Sequence, residues 1–528
     1  MRNIFVVIGL TALAFCFPSC DTFLDELPDN RTELDENNVA KILVSAYPQT
    51  AICEMGELSS DNTDQYPDKF PVYNRLQEDL YKWSETAEKN EDSPASLWNN
   101  CYLAISACNQ ALEAIKKAGN PVSLNAVKGE ALVCRAYNHF LLAITFCKAY
   151  GRSADTDLGI PYMKEVETTV APAYERGNLE MVYQNIEADL LAGLALIRND
   201  VYTVPKYHFT VDAANAFAAR FYLYYVQPDK SNYDKVIAHA GNVLGNNPLT
   251  VLRDWKTLGN LDLNGMVEPN AYIDAENRAN LLLVDAYSYW PYVHGPWGTG
   301  ERYAHGPLAA KETCCSDGPW GNYDGNKSVS VYYFYPWSNS IALPTKLMLR
   351  KVGAYTQVVD AVAGTGYGHL VNAAFTTDET LLCRAEAYVL KGDAFYPQAI
   401  EDLNVWETAF TRSSGLSVKK IDDYYGRLAY YTPTEPTVKK ELHPDFVITD
   451  KVQENLIHCI LHARRLTTLH EGLRWQDIKR YGITVYRRFI NDTEITVTDE
   501  LTPDDPRRAI QIPKDVIAAG MEPNPRNK

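Results

Sequence analysis

The chain has 528 residues, of which 46% are hydrophobic and 22% charged, a globular composition that excludes a disordered or collagen-like polypeptide. Its formal net charge of −17 argues against nucleic acid or an anionic lipid surface as the main partner, and leaves uncharged ligands open. A chain of this length exceeds what one ordinary core holds, so two intimately packed lobes are expected.

Residues 1–19 carry one early positive charge, Arg2, and then an apolar run from Ile4 to Phe17. This is the pattern of a secretory signal peptide, too short for a permanent membrane span. Cys20 stands at the expected cleavage point, as in a bacterial lipoprotein signal, and would become the acylated first mature residue. Phe17 and Pro18 depart from the usual residues ahead of such a site, and an ordinary signal peptide with an incidental cysteine is the alternative. Several acyl chains hold a protein stably where one is marginal. No other apolar stretch approaches the roughly 20 residues needed to cross a bilayer. The chain is therefore expected to hang from its N-terminus, with residues 20–45 as a tether.

Residues 46–270 read as helical hairpins. Trp98, Cys101, Tyr102, Ile105, Cys108, Leu112 and Ile115 share one helical stripe that stops at Gly119-Asn120-Pro121. A second helix runs from Leu124 to Tyr150, with Ala131 and Ala136 small enough to let a partner approach. Residues 178–198 are expected to pair with 211–227 and then 232–246, and later 379–391 with 396–410. The last pair resembles the tetratricopeptide helix-turn-helix with a longer turn. The fold class is thus mainly α, an irregular tetratricopeptide-like scaffold of helical hairpins with a loop-rich, aromatic-rich second lobe.

Between the helical sets, residues 271–345 lose this periodicity. They concentrate aromatic rings, including Tyr287, Tyr289, Trp290, Tyr292, Trp297, Trp320 and Tyr323, among Gly-Pro turns. Long irregular loops on a rigid scaffold are where binding functions sit. A flat ring can offer its face to the C–H surface of a pyranose while its polar tip or neighbouring Asp, Asn and Arg bind hydroxyls. Trp290, Trp297, Trp320, Tyr289 and Tyr323 are the candidate ligand-contacting residues. The same rings could equally form a second small core that holds the loops together.

The remainder, 346–528, closes on the stretch 454–482, most of which reads as one amphipathic helix. There Glu471, Arg474, Asp477 and Arg480 are spaced by three, as helical neighbours are, and with Trp475 they suit a clamp on neighbouring segments better than a catalytic site. Glu454, His458 and His462 could share a face as metal ligands, but a packed helix favours a structural role. Gly364, Gly366 and Gly368 read as a flexible turn. Neither a catalytic elbow, a zinc motif nor a nucleotide loop occurs, so no cofactor is implied. Eleven cysteines show no metal-knuckle spacing, and only the adjacent pair Cys314-Cys315 is unusual. Glu301, Asp317 and Asp324 leave a lipid-anchored glycoside hydrolase or lyase as the enzymatic alternative.

Several separated blocks resemble the SusD-like (RagB/SusD) outer-membrane nutrient-binding lipoproteins. These are Cys20-Asp21-Thr22-Phe23-Leu24-Asp25, Trp98 through Asn109, Arg135-Ala136-Tyr137 through Tyr150-Gly151, the extended Gly159-Ile160-Pro161-Tyr162, and Arg384-Ala385-Glu386-Ala387-Tyr388. Glu471-Gly472-Leu473-Arg474-Trp475-Gln476-Asp477 through Arg480-Tyr481-Gly482 and the tail Ile512-Pro513 with Asn524-Pro525 complete the series. Tyr481 replaces the family's commoner Trp. The resemblance implies a SusD-like fold without catalysis, anchored in the outer membrane and facing the cell exterior. It would bind an oligosaccharide, or in some relatives a peptide, and deliver it to a SusC-like TonB-dependent transporter. It further implies that the loop 59–66, with Asp61 and Tyr66, approaches the ligand together with the aromatic insertion.

Overall fold

The computed structural model describes residues 38–168, 174–262, 266–294, 300–323, 331–332, 337–338, 347–348, 351–360 and 362–526. The signal peptide, Cys20 and Trp297 lie outside the described residues. In the first half α1 (Cys53–Ser59), α2 (Arg75–Tyr81), α3 (Pro94–Lys117), α4 (Asn125–Phe146), α5 (Leu179–Leu194), α6 (Val211–Tyr224) and α7 (Ser231–Leu244) follow one another. The second half adds α8 (Trp290–His294), α9 (Pro307–Ala310), α10 (Thr377–Lys391), α11 (Tyr396–Phe410), α12 (Val418–Arg427), α13 (Lys451–Thr467) and α14 (Arg474–Arg480). The helix starts are written in the sequence. Ser93 accepts a hydrogen bond from the Ser96 amide at 3.1 Å with Pro94 in the first turn of α3, and Thr376 and Asp450 cap α10 and α13 in the same way.

The core is one hydrophobic cluster running from Val39 to Ile512, and it takes in Tyr303 and Trp320 from the aromatic region. The expected hairpins α3/α4, α6/α7 and α10/α11 form, and α7 packs in turn on α10. One pairing differs from expectation: α5 lies mainly on α4 and only secondarily on α6. Two glycines explain it. A Cβ on Gly129 would meet the Ile197 amide nitrogen at 2.7 Å, and one on Gly193 would meet Val133 Cγ2 at 2.6 Å, so α4 and α5 approach more closely than side chains would allow. Residues 159–162 are extended but form no strand, only an isolated bridge between Leu158 and Asn178.

Across this contact Arg135 of α4 donates from Nε and Nη2 to Asp189 of α5, each at 2.7 Å, and from Nη1 to Asn109 of α3 at 2.8 Å. Tyr162 donates to the same Asp189 carboxylate at 2.6 Å. The arginine and tyrosine of two sequence blocks therefore converge on one buried carboxylate, and the asparagine of a third holds the arginine. Removing one member of a buried, bidentate pair strands the other charge. Asp189→Ala is expected to cost about 3–5 kcal/mol of folding stability, measured by chemical denaturation, and a loss below about 1 kcal/mol, the scale of an exposed pair, would show that the pair does not clamp these helices.

Two larger sheets complete the fold, beside a two-stranded pair of Trp337–Ser338 with Leu347–Met348. β1 (Asp64–Gln65), β3 (Tyr303–Ala304), β6 (Val485–Asn491) and β7 (Glu494–Leu501) form a four-stranded sheet in the order β3-β1-β6-β7. β2 (Asn280–Tyr287), β4 (Tyr355–Asp360) and β5 (Thr365–Thr376) form a three-stranded sheet in the order β2-β5-β4. Gly366 and Gly368, read from sequence as part of a flexible turn, instead lie inside β5, where a Cβ on Gly366 would meet the Gln357 carbonyl at 2.4 Å.

The stretch 454–482 is two helices, not one. α13 ends at Thr467 and α14 begins at Arg474, with His470 at φ +69° and Gly472 at φ +79° between them. The break is imposed by packing: a Cβ on Gly472 would lie 2.5 Å from the Ile52 carbonyl, and one on Gly56 of α1 would lie 2.2 Å from the Gly472 carbonyl. The expected charge ladder therefore points outward to other segments. Glu471 accepts from Lys351 Nζ at 3.0 Å and from the Tyr272 hydroxyl, Arg474 grips Asp61 through two bonds of 2.9 Å, and Arg480 reaches Glu386 at 2.7 Å. Only Asp477–Arg480, at 3.5 Å, keeps the anticipated spacing-three contact. Trp475 is fully buried beside them.

Glu57 ties α1 to this break, accepting from the Gly472 amide at 3.0 Å and from Asn62 at 2.7 Å. Burial pushes its carboxyl up to about 7 against those two donors. Its folded value exceeds the unfolded one, so the folded state holds the proton longer, and stability falls as pH rises from the ordinary carboxylate range through about 7. The expected difference is about 3 kcal/mol, read as the change in unfolding free energy between pH 4.5 and pH 8 in the wild type minus the same change in Glu57→Gln. Equal slopes in the two proteins would refute it.

Candidate ligand-binding surface

β2 ends in a tight turn that carries the chain into α8. Asp92 pins that turn: Ser288 Oγ donates to one carboxylate oxygen and the Tyr289 amide to the other, both at 2.6 Å. The Ser288 amide donates to the Gly368 carbonyl of β5 at 3.0 Å. Trp290 turns inward, its indole nitrogen donating to the His470 carbonyl at 3.1 Å. Tyr289 and Tyr292 are left half-buried at the surface. A Cβ on Gly368 would be 2.7 Å from the Tyr292 ring, so the glycine lets that ring lie across β5.

These constraints gather tyrosines on both faces of the sheet: Tyr292 lies over the Gly368 face, and Tyr287, Tyr355 and Tyr367 share the opposite face with His369. Tyr73 and Tyr289 have ring centroids 6.0 Å apart, as do Tyr289 and Tyr292. Tyr287 and Tyr367 lie 5.7 Å apart across the sheet, and Tyr355 lies 5.6 Å from His369. Register explains the second group, since Tyr287 opposes His369 and His369 opposes Tyr355 across three adjacent strands. Polar groups accompany the rings on each face. His369 Nδ1 is 2.6 Å from Asp285 Oδ1, the Tyr292 hydroxyl is 2.9 Å from Thr356 Oγ1, and the Tyr355 hydroxyl donates to Asn270 at 2.8 Å. Tyr367 is 49% exposed. This is the arrangement a sugar needs, ring faces for C–H surfaces and short polar side chains for hydroxyls.

A carboxyl pair underlies the surface. Glu54 and Asp92 are buried next to one another, without a Lys or Arg salt bridge among the described residues. Burial, then the neighbouring Asp92, pushes Glu54 well above the usual carboxylate range, and burial lifts Asp92 to about 6. Glu54 thus holds its proton more tightly than an ordinary carboxyl, and the Asp92 carboxylate serves the Ser288 and Tyr289 donors.

The other predicted residues fall elsewhere. Trp290 and Trp320 are each 3% exposed. Trp320 packs edge-on to Trp406 at 4.9 Å and beside His462 at 4.7 Å, so its faces are spent on the core. Tyr66 is buried in a small cluster with Phe70, Ala304 and Ile490. Asp61 is buried between Arg474 and Arg465, whose guanidiniums overcome the burial penalty and hold its carboxyl well below the usual range. These four are structural in this arrangement, since a buried ring or paired carboxylate has no face to offer. Tyr323 is half-buried on a separate loop, its amide donating to Asp317 at 2.9 Å. Glu301 is buried, and Asp324 lies outside the described residues. His462 is held by Ser316 and Tyr425, and His458 lies 3.5 Å from Glu454.

Sequence reasoning missed Tyr73 as a partner of Tyr289, and the grouping of Tyr355, Tyr367 and His369 on the sheet. A signal existed in the alternation of Tyr355 with Gln357 and of Tyr367 with His369 on either side of Gly364, a hairpin pattern. Two clefts, of about 940 and 680 Å³, lie on other faces. Their walls carry charges that close on one another, such as Lys148 with Asp157 and Arg507 with Asp499 and Asp505, so neither displaces the tyrosine surface as the candidate.

Residues 22–223 match a family model described as starch-binding, associating with the outer membrane, and named SusD-like. A SusD superfamily protein from Bacteroides vulgatus has 19% identity and a TM-score of 0.61, with 93% of this chain and 98% of that one covered. A second, from Bacteroides thetaiotaomicron, has 18% identity and a TM-score of 0.60 over the same shares. This chain has the fold of the SusD superfamily structures. A SusD-like carbohydrate binding protein from Bacteroides vulgatus also has the fold, at 16% identity and a TM-score of 0.62, covering 92% of this chain and 96% of its own. No curated protein matches. The tyrosines lie on the β2-β5-β4 sheet, beside and not within the helical hairpins.

Single substitutions separate the two roles of the rings. Tyr289→Ala and Tyr292→Ala are each expected to weaken ligand binding by about 1 kcal/mol, the scale of one aromatic contact, with little change in stability. Trp290→Ala and Trp320→Ala are expected to cost about 3–5 kcal/mol of stability. Calorimetric titration and chemical denaturation of the same four variants check both halves, and a tryptophan variant that keeps full stability but loses ligand would reverse the assignment.

Proposed function

We propose that the protein is a cell-surface lipoprotein that binds a nutrient oligomer, a glycan in the first instance, and passes it to a SusC-like TonB-dependent transporter. The observation that carries the reading is the group of half-buried rings Tyr73, Tyr289 and Tyr292, with the Tyr292 hydroxyl 2.9 Å from Thr356 Oγ1. The family description of starch binding at the outer membrane and the printed name of the carbohydrate binding relative support it. Cys20 would carry the acyl chains, the tether would let the body swing, and the body would close over the transporter's mouth with ligand between them. No bond is made or broken in this cycle.

A peptide ligand is the second reading, and one observation favours it. β4 is the edge of its sheet and is exposed along most of its length, so its free backbone groups could accept an extended peptide as an added strand.

Calorimetric titration of the chain from Asp21 onward against a panel of oligosaccharides and peptides decides between them. Saturable heat with one glycan class, reduced in Tyr289→Ala, is the expected result. Binding confined to peptides would replace the glycan with the second reading. Glycan binding that is untouched in every tyrosine variant would move the site away from this surface.

A further inference from the structure

The cysteines of this chain are not alike. Among the described residues every cysteine except Cys315 is buried, and Cys315 is half-buried. Burial pushes the thiols of Cys53, Cys101 and Cys459 well up and that of Cys147 to about 11, so these are inert apolar fillers. Cys314 and Cys315 form a different arrangement. They follow α9 in a turn held by its own backbone, with the Cys315 amide donating to the Ala310 carbonyl at 2.8 Å and the Ser316 amide to the Thr313 carbonyl at 3.0 Å. The two sulfurs are 4.0 Å apart, one in the core and one at the surface.

We propose that Cys314 and Cys315 are a redox-active vicinal dithiol that exchanges with low-molecular-weight disulfides, Cys315 attacking and Cys314 resolving. The asymmetry sets the roles. A hydrogen bond from Cys314 lowers the Cys315 thiol, burial opposes this, and Tyr323 adds a second lowering contact. The same Cys315 contact, together with burial, pushes Cys314 up. The thiolate is the nucleophile in such exchange, and in this pair it belongs to the sulfur that a small molecule can reach.

The chemistry balances without a further reagent. The Cys315 thiolate attacks one sulfur of a disulfide R–S–S–R, forming a Cys315–S–S–R bond and expelling R–S⁻, which takes up a proton. Cys314 then loses its proton and attacks Cys315 Sγ, forming the Cys314–Cys315 bond and expelling the second R–S⁻. Two protein thiols are oxidised, one disulfide is reduced, and the two protons end on two R–SH. The sulfurs must close from 4.0 Å to about 2.05 Å. Consecutive Cα atoms sit about 3.8 Å apart, below the span most disulfides adopt, so the product is strained and readily reduced. The switch is therefore reversible, and it acts on the loop that carries Trp320 and Tyr323.

The test uses the intact folded chain and glutathione disulfide, followed by alkylation and peptide mapping by mass spectrometry. The wild type is expected to lose both alkylatable thiols of the 314–315 peptide together, with the mass of two hydrogens, and to regain them on reduction. Cys314→Ser is expected to stop at a glutathione adduct on Cys315, Cys315→Ser to give neither product, and Cys459→Ser to behave as wild type. Failure of the wild type to react, an adduct that persists on Cys315 without ring closure, or reaction of Cys315→Ser at the wild-type rate would each overturn the proposal. Brief alkylation of the native wild type needs no variant: Cys315 is expected to be labelled before any other described cysteine, and earlier labelling of another would count against it.

Discussion

The fold depends on a buried knot of charge. Asp61 is gripped by Arg474 through two bonds of 2.9 Å and lies 3.3 Å from Arg465 and 3.5 Å from Lys440. Glu312 accepts from Arg488 at 2.8 Å and from Lys440 at 2.5 Å, with Arg465 at 3.4 Å, and Asp64 holds Arg488 at 2.7 Å. Three carboxylates thus face four cations supplied by the 61–64 segment, the turn after α9, the Lys440 segment, α13, α14 and β6. No apolar contact would fix so many separate strands of chain in one register, because burial alone is non-directional, whereas each bidentate guanidinium pair has one geometry. The knot carries one cation in excess, and burial lowers Lys440 to about 8 against the pull of Glu312 and Asp61. Lys440 is thus the softest member of the knot.

From this knot a chain of directional contacts leads to the tyrosine surface. α14 and its preceding turn are set by Arg474. Gly472 of that turn lies against Gly56 and receives Glu57. His470 of the same turn accepts from Trp290, and Trp290 starts the helix whose exposed side bears Tyr292. Asp92 fixes the neighbouring Tyr289 from below. The rings are therefore held by groups that are themselves buried and bonded. A platform so held loses little conformational entropy when a ligand settles on it. The same economy explains why Trp290 and Trp320 are inside: the largest rings brace the loops, and the smaller tyrosines meet solvent.

The helical hairpins were legible because their apolar stripes repeat at the helical period, and the caps at Ser93, Thr376 and Asp450 are local signals. The clamp role of Glu471, Arg474, Asp477 and Arg480 was legible as well, but its partners were not. Spacing by three predicts contact only along an unbroken helix, and the break at Gly472 comes from the approach of α1, which precedes it by some four hundred positions in the sequence. The same blindness affected the aromatic region. Composition shows that rings are concentrated there, but whether Trp320 faces solvent or Trp406 depends on α11, outside the region altogether. Asp61 failed for the converse reason. A loop rich in Asp, Asn and Ser reads as solvated until two arginines from the far end of the chain are placed upon it.

The charge of the molecule bears on how such a surface can work. The chain carries a net −17, and among the described residues Asp285 and Asp92 near the tyrosines have no arginine or lysine ion pair, Asp285 being met by His369 and Asp92 by neutral donors. An anionic ligand would meet this field at a cost that grows as salt is lowered. Ring stacking and hydroxyl hydrogen bonds draw on no net charge, so a neutral oligomer escapes that penalty and its binding should be nearly independent of ionic strength. Glu54 belongs to the same logic. Were it ionised beside Asp92, two buried charges would press on the turn that presents Tyr289, and both burial and Asp92 disfavour that form, while the Asp92 oxygens are both occupied by Ser288 and Tyr289.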